Sequence, residues 1–369
     1  MKVAFANRKD CLINRGGDTT QMLKTKKWLE DKYSVDIHLC LSPDEITKEY
    51  DLVHIFNIQT YRESFEYLKK AKSLGIKVII STIYWDLTPS RIVSLHYRYL
   101  GTGKYLNNYL INQLFKLYLK LSKFRKLNKE QIRKTQYLLR MCDYLLPNSD
   151  EELYQVCKAF NIQKEQLLYK YHSVPNAIEN LPNINNDKTL DIKDYVLIVG
   201  RIETIKNQIS VVKALMDYPD IPIVIVGRVE PEYKEYYYNE LQKYSNIRGN
   251  VYFYQEVSHD DVINFYKNAK VHVLASFRES PGLVSLEALQ CGCEIVVSDE
   301  RYCPTQYYQF DEYAHICNPF DINSIKEAIL NAFSKKLNHA DKSYFDFYSY
   351  ENAADLTYEG YLKVLDSSK

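Results

Sequence analysis

The fold class is indicated most clearly by the stretch Val271-His-Val-Leu-Ala-Ser-Phe-Arg-Glu279-Ser-Pro-Gly282-Leu-Val-Ser-Leu-Glu287-Ala-Leu-Gln-Cys-Gly292-Cys-Glu-Ile-Val-Val-Ser298. A short apolar strand opens it, a loop follows, and a helix is predicted to begin near Gly282 and to end at Gly292. A second apolar strand then begins. Strand, helix and strand in this order predict a parallel pair joined by a crossover helix.

The same alternation continues on both sides of this stretch. The predicted strands of the first half are Val3–Ala6, Val35–Leu39, Leu52–Ile55, Val78–Ser81 and Tyr144–Pro147, and those of the second half are Tyr195–Val199, Ile223–Val226, Val251–Tyr254, Val271–Leu274 and Ile295–Ser298. Between the two series, Glu179 to Asp194 is rich in Asn, Asp, Pro and Lys, which is typical of a linker. We therefore predict an α/β protein with two parallel sheets, each covered by helices on both faces.

Composition narrows the possible classes of protein. The 369 residues exceed what one hydrophobic core usually supports, and only 11 are glycine, which excludes collagen-like and Gly-rich disordered chains. The net charge of +1 creates no global field for nucleic acid, so we expect no nucleic-acid partner. The 8 cysteines lie mostly in apolar contexts without zinc spacing, which predicts buried thiols in a reducing compartment.

The localisation expected from the chain is cytoplasmic. Met1-Lys2 is followed by only four apolar residues, which is typical of a first strand and not of a signal peptide, and no apolar run reaches 18 residues. The basic segment 110–140 leaves two interpretations open. It is either a surface helix packed on its own domain or an amphipathic helix that rests on an anionic membrane at the inner face.

Two cations follow the first strand of the second half. Gly200-Arg201 comes directly after the strand, and Lys206 is expected to open the next helix, where a cation opposes the helix dipole. Such a position suggests an external anion bound by the helix terminus and by both side chains. A lysine that extends to solvent is the alternative for Lys206 alone.

Two carboxylates accompany these cations. Glu279 lies in the loop after its strand, and Glu287 lies one to two turns into the helix, while Gly282 exposes backbone N–H groups between them. Carboxylates accept hydrogen bonds from sugar hydroxyls, and cations bind phosphate. The set therefore suits a ligand that carries both groups.

Glu279, seven residues and Glu287 resemble the E-x7-E motif of retaining glycosyltransferases of the GT-B fold, family 4 type, also called group 1. Further segments are similar to that family. They are Val199–Asn207, Ile223–Gly227, Val251–Ala269 and Val174–Glu179. The resemblance covers the C-terminal half nearly from end to end and the N-terminal half more loosely.

The resemblance implies a fold of two Rossmann-like domains that face each other across a cleft. It implies an acceptor-side domain over 1–180, a domain that binds the nucleotide-sugar over 181–348, and a C-terminal helix over 349–369 that returns to the first domain.

The resemblance also implies residue roles. Arg201 and Lys206 would hold the diphosphate, Glu279 would bind sugar hydroxyls, and Glu287 would bind ribose hydroxyls. The remaining positions implied at the donor are Gly16, Gly17, Gly200, Gly227, Ser280, Gly282 and Leu283. In the first half, Asp86 matches one residue of the family's His-Asp pair, whereas Trp85 stands in the histidine's place.

The resemblance implies that the protein is a retaining glycosyltransferase, an enzyme of the hexosyltransferase type. It would move a sugar from a nucleotide-sugar donor to a glycan or lipid-linked acceptor in bacterial cell-surface polysaccharide biosynthesis. The chain contains no D-x-D motif, so we expect no obligatory metal and no cofactor. The alternatives are a non-catalytic nucleotide-sugar-binding partner of another transferase and a nucleotide-sugar epimerase on the same fold.

Overall fold

The computed structural model describes residues 1–14, 16–85, 94–95, 124–179, 192–255, 257–279 and 282–366. These residues form two compact units. Residues 1–85, 124–179 and 346–366 form the first unit, and residues 192–345 with 94–95 form the second. Ser94 joins the second unit although it precedes the expected boundary near 180, and its Oγ lies 2.5 Å from Oγ1 of Thr204.

The first unit is a parallel sheet covered by helices. Its elements in chain order are β1 (Lys2–Ala6), α1 (Gly17–Tyr33), β2 (Asp36–Cys40), β3 (Leu52–Phe56), α2 (Tyr61–Ser73), β4 (Lys77–Ser81), α3 (Phe124–Met141), β5 (Tyr144–Leu146) and α4 (Asp150–Phe160). The strand order is β2-β1-β3-β4-β5, and every pair is parallel. All five residues of β3 are buried, as expected for a strand covered on both faces.

The second unit contains the predicted strands and one more. Its elements are β6 (Tyr195–Val199), α5 (Gln208–Ala214), β7 (Ile223–Val226), α6 (Asn239–Arg248), β8 (Val251–Tyr254), α7 (His259–Asn268), β9 (Ala269–Leu274), α8 (Leu283–Gln290), β10 (Glu294–Ser298), α9 (Phe310–Tyr313), β11 (Ala314–Cys317) and α10 (Ile322–Ser334). Helix α11 (Lys342–Phe347) begins in this unit and ends in the first. The order is β11-β10-β9-β6-β7-β8, again entirely parallel. The sequence reading missed the edge strand β11, because Ala-His-Ile-Cys is short and only partly apolar.

The C-terminal helix α12 (Tyr350–Asp366) belongs to the first unit. The ring of Tyr358 stacks on Tyr33 of α1 with 4.0 Å between centroids. The hydroxyl of Tyr361 lies 2.7 Å from Nδ1 of the buried His54, whose Nε2 lies 2.9 Å from Oγ of Ser81. This chain of hydrogen bonds connects the helix to strands β3 and β4.

No helix within the described ranges is long and apolar enough to span a bilayer.

Candidate active site

The candidate site lies where the strand order of the second sheet reverses. Strands β6 and β9 are neighbours, yet the chain leaves β6 towards β7 on one side and leaves β9 towards β10 on the other. In open parallel sheets, ligands bind at the carboxyl ends of the two strands at such a switch point. Gly200 follows β6 directly, and the loop with Glu279 follows β9.

Lys206 lies two residues before the helix that it is expected to open. It ends a short 3-10 turn, Thr204–Lys206, and Asn207, in the left-handed conformation with φ 58°, caps α5. The expectation that Lys206 opens the helix is therefore wrong by two residues. The Asn207 side-chain amide donates to the carbonyls of Ala275 at 2.9 Å and Pro319 at 2.8 Å, which joins this turn to the segments that follow β9 and β11.

Lys206 and Glu279 form an ion pair at the switch point. Nζ of Lys206 lies 2.7 Å from Oε1 of Glu279, and the two side chains are only 19% and 7% exposed. The backbone holds the pair together, because the N–H of Phe277 donates to the carbonyl of Ile205 at 2.9 Å and the N–H of Glu279 donates to that of Tyr302 at 2.7 Å. The alternative of a lysine that extends to solvent does not apply in this structure.

Arg201 occupies the exposed rim of the same loop. Its side chain is 60% exposed, and its guanidinium lies 3.2 Å from Oε1 of the buried Glu203 and 4.0 Å from Oε1 of Glu230. Burial raises the pKa of Glu203, and the charge of Arg201 opposes that rise. The sequence reading missed Glu203, although a carboxyl three residues after Gly200 is a visible signal.

Glycines are required where two loops approach each other. Gly227 has φ +150°, and a Cβ at this position would lie 2.0 Å from the carbonyl oxygen of Gly200, whose own φ is +141°. Gly282 has φ +59° and caps α8, which places Leu283 in the first turn of that helix. The first N–H groups of a helix have no intrahelical partner and point towards any anion at the terminus.

Glu287 lies in the middle of α8, and its carboxylate is oriented by a neighbouring helix. The hydroxyl of Tyr266 on α7 donates to its Oε2 at 3.0 Å. Tyr266 is buried, and burial raises its pKa well above the usual value. The tyrosine therefore stays protonated and remains a donor to the carboxylate.

Strand β9 also carries a buried histidine, His272. Both ring nitrogens of His272 lack a hydrogen-bond partner, and burial, with a smaller contribution from the charge of Lys206, lowers its pKa to about 3. The ring is therefore neutral at ordinary pH.

In the first unit, Gly16 and Gly17 lie beside a compact charged cluster. Gly16 caps α1, and a Cβ there would lie 2.7 Å from Oδ1 of Asp18. The guanidinium of Arg8 lies 3.5 Å from Asp18 and 2.9 Å from Asp10. Gly16 thus leaves room for Asp18, while the space around Gly17 is open.

Two predicted site residues, Asp86 and Ser280, lie outside the described residues. Trp85 is buried, and the ring of Tyr84 packs edge-on against Phe160 in the core. Among the residues that the structure describes, no cluster of three His, Cys, Asp or Glu side chains is arranged to hold a metal ion.

Comparison with known proteins indicates a family for the second half of the chain. Residues 182–344 match the model of the family described as "Glycosyl transferases group 1". Through these residues the chain is similar to the group 1 glycosyl transferases. The matched range contains Arg201, Lys206, Glu279 and Glu287, so all four lie in the family's domain.

Relatives among curated proteins are more distant. The serotype-specific mannosyltransferase WbdA of Escherichia coli is 27% identical over 186 residues, which cover 48% of this chain and 22% of the relative. The chain thus matches about a fifth of the length of that protein. A Campylobacter jejuni N-acetylgalactosaminyltransferase, named for a diphospho-undecaprenol-linked substrate, is 25% identical over 80% of this chain and 81% of its own length.

Solved structures show the fold. Sucrose-phosphate synthase of Thermosynechococcus elongatus superposes with a TM-score of 0.68 over the whole of both chains at 14% identity. HepE of Anabaena in complex with UDP superposes with a TM-score of 0.60 at 13% identity, over all of this chain and 98% of that one. The predicted GT-B fold is thus confirmed.

Proposed function

We propose that this protein is a group 1 glycosyl transferase, a retaining enzyme of the hexosyltransferase type. It transfers a sugar from a nucleotide-sugar donor to a glycan or lipid-linked acceptor in bacterial cell-surface polysaccharide biosynthesis. The observation that carries the proposal is the ion pair of Lys206 and Glu279 at the switch point of the second sheet. The printed names of the relatives, a mannosyltransferase and a transferase to a diphospho-undecaprenol glycan, support the class of reaction.

In this proposal, Lys206 and Glu279 contact different parts of the donor when it binds. The ammonium of Lys206 turns to the diphosphate, and the carboxylate of Glu279 accepts from hydroxyls of the sugar. Arg201 is exposed and bound only at the rim, so it can move to the second phosphate. The attraction between these cations and the leaving diphosphate grows as negative charge develops on it, which lowers the barrier to sugar transfer.

The helix α8 supplies the remaining donor contacts. Backbone N–H groups at Gly282 and Leu283 point to the phosphates, with Ser280 alongside the sugar, and Glu287 accepts from the ribose hydroxyls. Gly200 and Gly227 allow the loops after β6 and β7 to approach each other closely beneath the ligand. The cations do the electrostatic work of a metal, so we propose a metal-independent reaction.

Retention follows from attack on the face that the diphosphate leaves. A donor phosphate oxygen takes the proton of the acceptor hydroxyl, the new glycosidic bond forms, and the sugar–phosphate bond breaks with its electrons on the diphosphate. The acceptor is assigned to the first unit, near Gly16, Gly17 and Asp86. No protein nucleophile is required.

The test is release of nucleoside diphosphate from a panel of UDP-, GDP- and ADP-sugars. Glu279→Gln and Lys206→Gln should each lower the release rate by about 100-fold or more. Glu327→Gln and Lys335→Gln, which change exposed charges in the same unit, should leave it unchanged. Excess EDTA should have no effect, and the product should keep the anomeric configuration of the donor by NMR.

The panel also separates the alternatives. Epimerisation of the donor without an acceptor would show an epimerase. Binding without turnover would show a non-catalytic partner. Full activity of both Glu279→Gln and Lys206→Gln would show that the site has been misplaced.

A membrane contact belongs to the same proposal. Lys116, Lys120 and Lys123 of the basic segment lie outside the described residues. The later part of the segment lies in α3, which presents an exposed stripe at helical spacing. The stripe comprises Lys129, Arg133, Tyr137, Arg140 and Met141 and contains no acid. We propose that it rests on anionic lipid at the inner face of the membrane. Binding to phosphatidylglycerol vesicles that is unchanged by Arg133→Glu and Arg140→Glu would contradict this contact.

A further inference from the structure

A buried carboxylate without an assigned role lies at the carboxyl edge of the first sheet. Glu152, the third residue of α4, is fully buried. Its Oε1 accepts from the hydroxyl of Thr82 and from the N–H of Tyr84 at 3.0 Å. Its Oε2 accepts from the N–H and the side-chain amide of Asn148, at 3.2 and 2.7 Å.

Helix capping does not account for this arrangement. Ser149 caps α4 and accepts from the N–H of Glu152 at 3.0 Å, which is half of a capping box. In a complete box the carboxylate would return to the N–H of Ser149. Here it binds Asn148 and, on the other side, the segment that follows β4. Burying a carboxyl is costly, and burial raises the pKa of Glu152 to about 6 despite its hydrogen bonds.

The segment bound by Glu152 is strained. Ile83 has φ +43°, a left-handed conformation that is rare for a β-branched residue. Its two neighbours, Thr82 and Tyr84, are the residues that donate to Glu152. Such conformations persist only where the surroundings enforce them, and they cluster at functional sites.

The opposite side of the segment is also bound. The side-chain amide of Gln59 donates to the carbonyl of Trp85 at 3.3 Å, and it lies 3.5 Å from the carbonyl of Ile83. The N–H of Ile58 donates to the carbonyl of Thr82 at 3.0 Å. Donor and acceptor groups of 82–85 are thus held from two directions, and the chain continues from Trp85 directly to Asp86.

We propose that Glu152 is a positioning residue that holds the strained segment 82–85 in place and thereby shapes the acceptor side of the enzyme. The role in transfer rests on the proposed function, whereas the role in holding the segment does not. Glu152 acts through Thr82 and Tyr84 and need not contact the substrate.

Fluorescence of Trp85 tests the structural part. The chain has two tryptophans, so Trp28→Phe leaves Trp85 as the single reporter. In this background, Glu152→Gln and Thr82→Val should each raise the acrylamide quenching constant by about threefold or more, because local opening exposes the indole. Thr82→Val decides the result if Glu152→Gln does not fold.

Asp143→Asn provides a matched control, because Asp143 binds the amino end of β4, whereas Glu152 binds the segment that follows the carboxyl end of β4. The carboxylate of Asp143 accepts from the N–H of Val78 at 2.7 Å and pairs with Lys72, at the amino end of β4. This variant should leave the quenching constant unchanged. An equal rise in Asp143→Asn, or no rise in either Glu152→Gln or Thr82→Val, would overturn the proposal.

Kinetics test the functional part, with alkyl glycosides as acceptor probes. Both variants should raise the acceptor KM by about 10-fold, the effect of losing a buried hydrogen bond to a charged group, while donor hydrolysis without acceptor stays within about twofold. An unchanged acceptor KM beside an altered quenching constant would overturn the assignment to the acceptor side. If the wild-type chain releases no nucleotide, the proposed function fails, and the quenching result still decides whether Glu152 holds the segment.

Discussion

Gly227→Ala probes the close approach of the loops after β6 and β7. The added Cβ would lie 2.0 Å from the carbonyl oxygen of Gly200 and 2.7 Å from its carbonyl carbon. Both are backbone atoms, and the N–H of Gly200 is itself bound to the carbonyl of Val226 at 2.9 Å. The loops must therefore separate by about 1 Å or more before a methyl group fits.

The cost has two parts. Overpacking against the backbone costs about 1–3 kcal/mol, and the φ of +150° adds strain of about 1–3 kcal/mol for a residue with a side chain. Together they predict a loss of about 4 kcal/mol in the free energy of unfolding. For a unit of this size, such a loss lowers Tm by roughly 8–16 °C. Differential scanning calorimetry should show the shift in the transition of the second unit.

Gly292→Ala separates strain from collision. Gly292 has φ +86°, but a Cβ there has no atom within 4 Å, so only the strain of about 1–2 kcal/mol applies. If Gly227→Ala lowers Tm no more than Gly292→Ala does, the close approach of the two loops is not what requires glycine, and the reasoning is refuted. A matching loss of UDP or GDP binding in Gly227→Ala alone would connect the loops to the donor.

Other perturbations test the interior of each unit. The buried guanidinium of Arg248 donates to the carbonyls of Leu215, Tyr218 and Ile221 at 2.9, 2.6 and 2.6 Å. Arg248→Met should therefore lower the free energy of unfolding, measured with denaturant, by about 2–4 kcal/mol. A loss below about 1 kcal/mol would contradict this role. Burial lowers the pKa of His54 to about 3. Below about pH 6.5 this imidazole therefore binds a proton in the unfolded chain but not in the folded chain. Stability should therefore fall by about 2 kcal/mol between pH 7 and pH 5 from this group, and His54→Gln should flatten that slope in pH-dependent urea titrations.

The repeated strand and helix pattern could be predicted from the sequence, because each buried parallel strand is a local run of apolar residues. Strands β6, β7 and β8 have the predicted bounds. The edge strand β11 escaped prediction since a sheet edge needs fewer apolar side chains. Local composition thus indicates where most elements form, and the prediction fails where an element is only partly buried.

Candidate residues of the donor site were also visible in the sequence, since the spacing of Glu279 and Glu287 and the segment around Lys206 resemble a family motif. Which groups pair was not visible. Lys206 and Glu279 are 73 residues apart, and only the order of strands β6 and β9 brings them to 2.7 Å.

The role of Glu152 illustrates the same limit. The structure directs the carboxylate to Thr82 and Tyr84, some 70 residues earlier in the chain. Hydrogen bonds of this kind depend on strand order and on the path of loops in space. Most of the elements, the family resemblance and the candidate residues could thus be predicted from the sequence. Which charges meet depends on the tertiary structure, because packing and not spacing sets those distances.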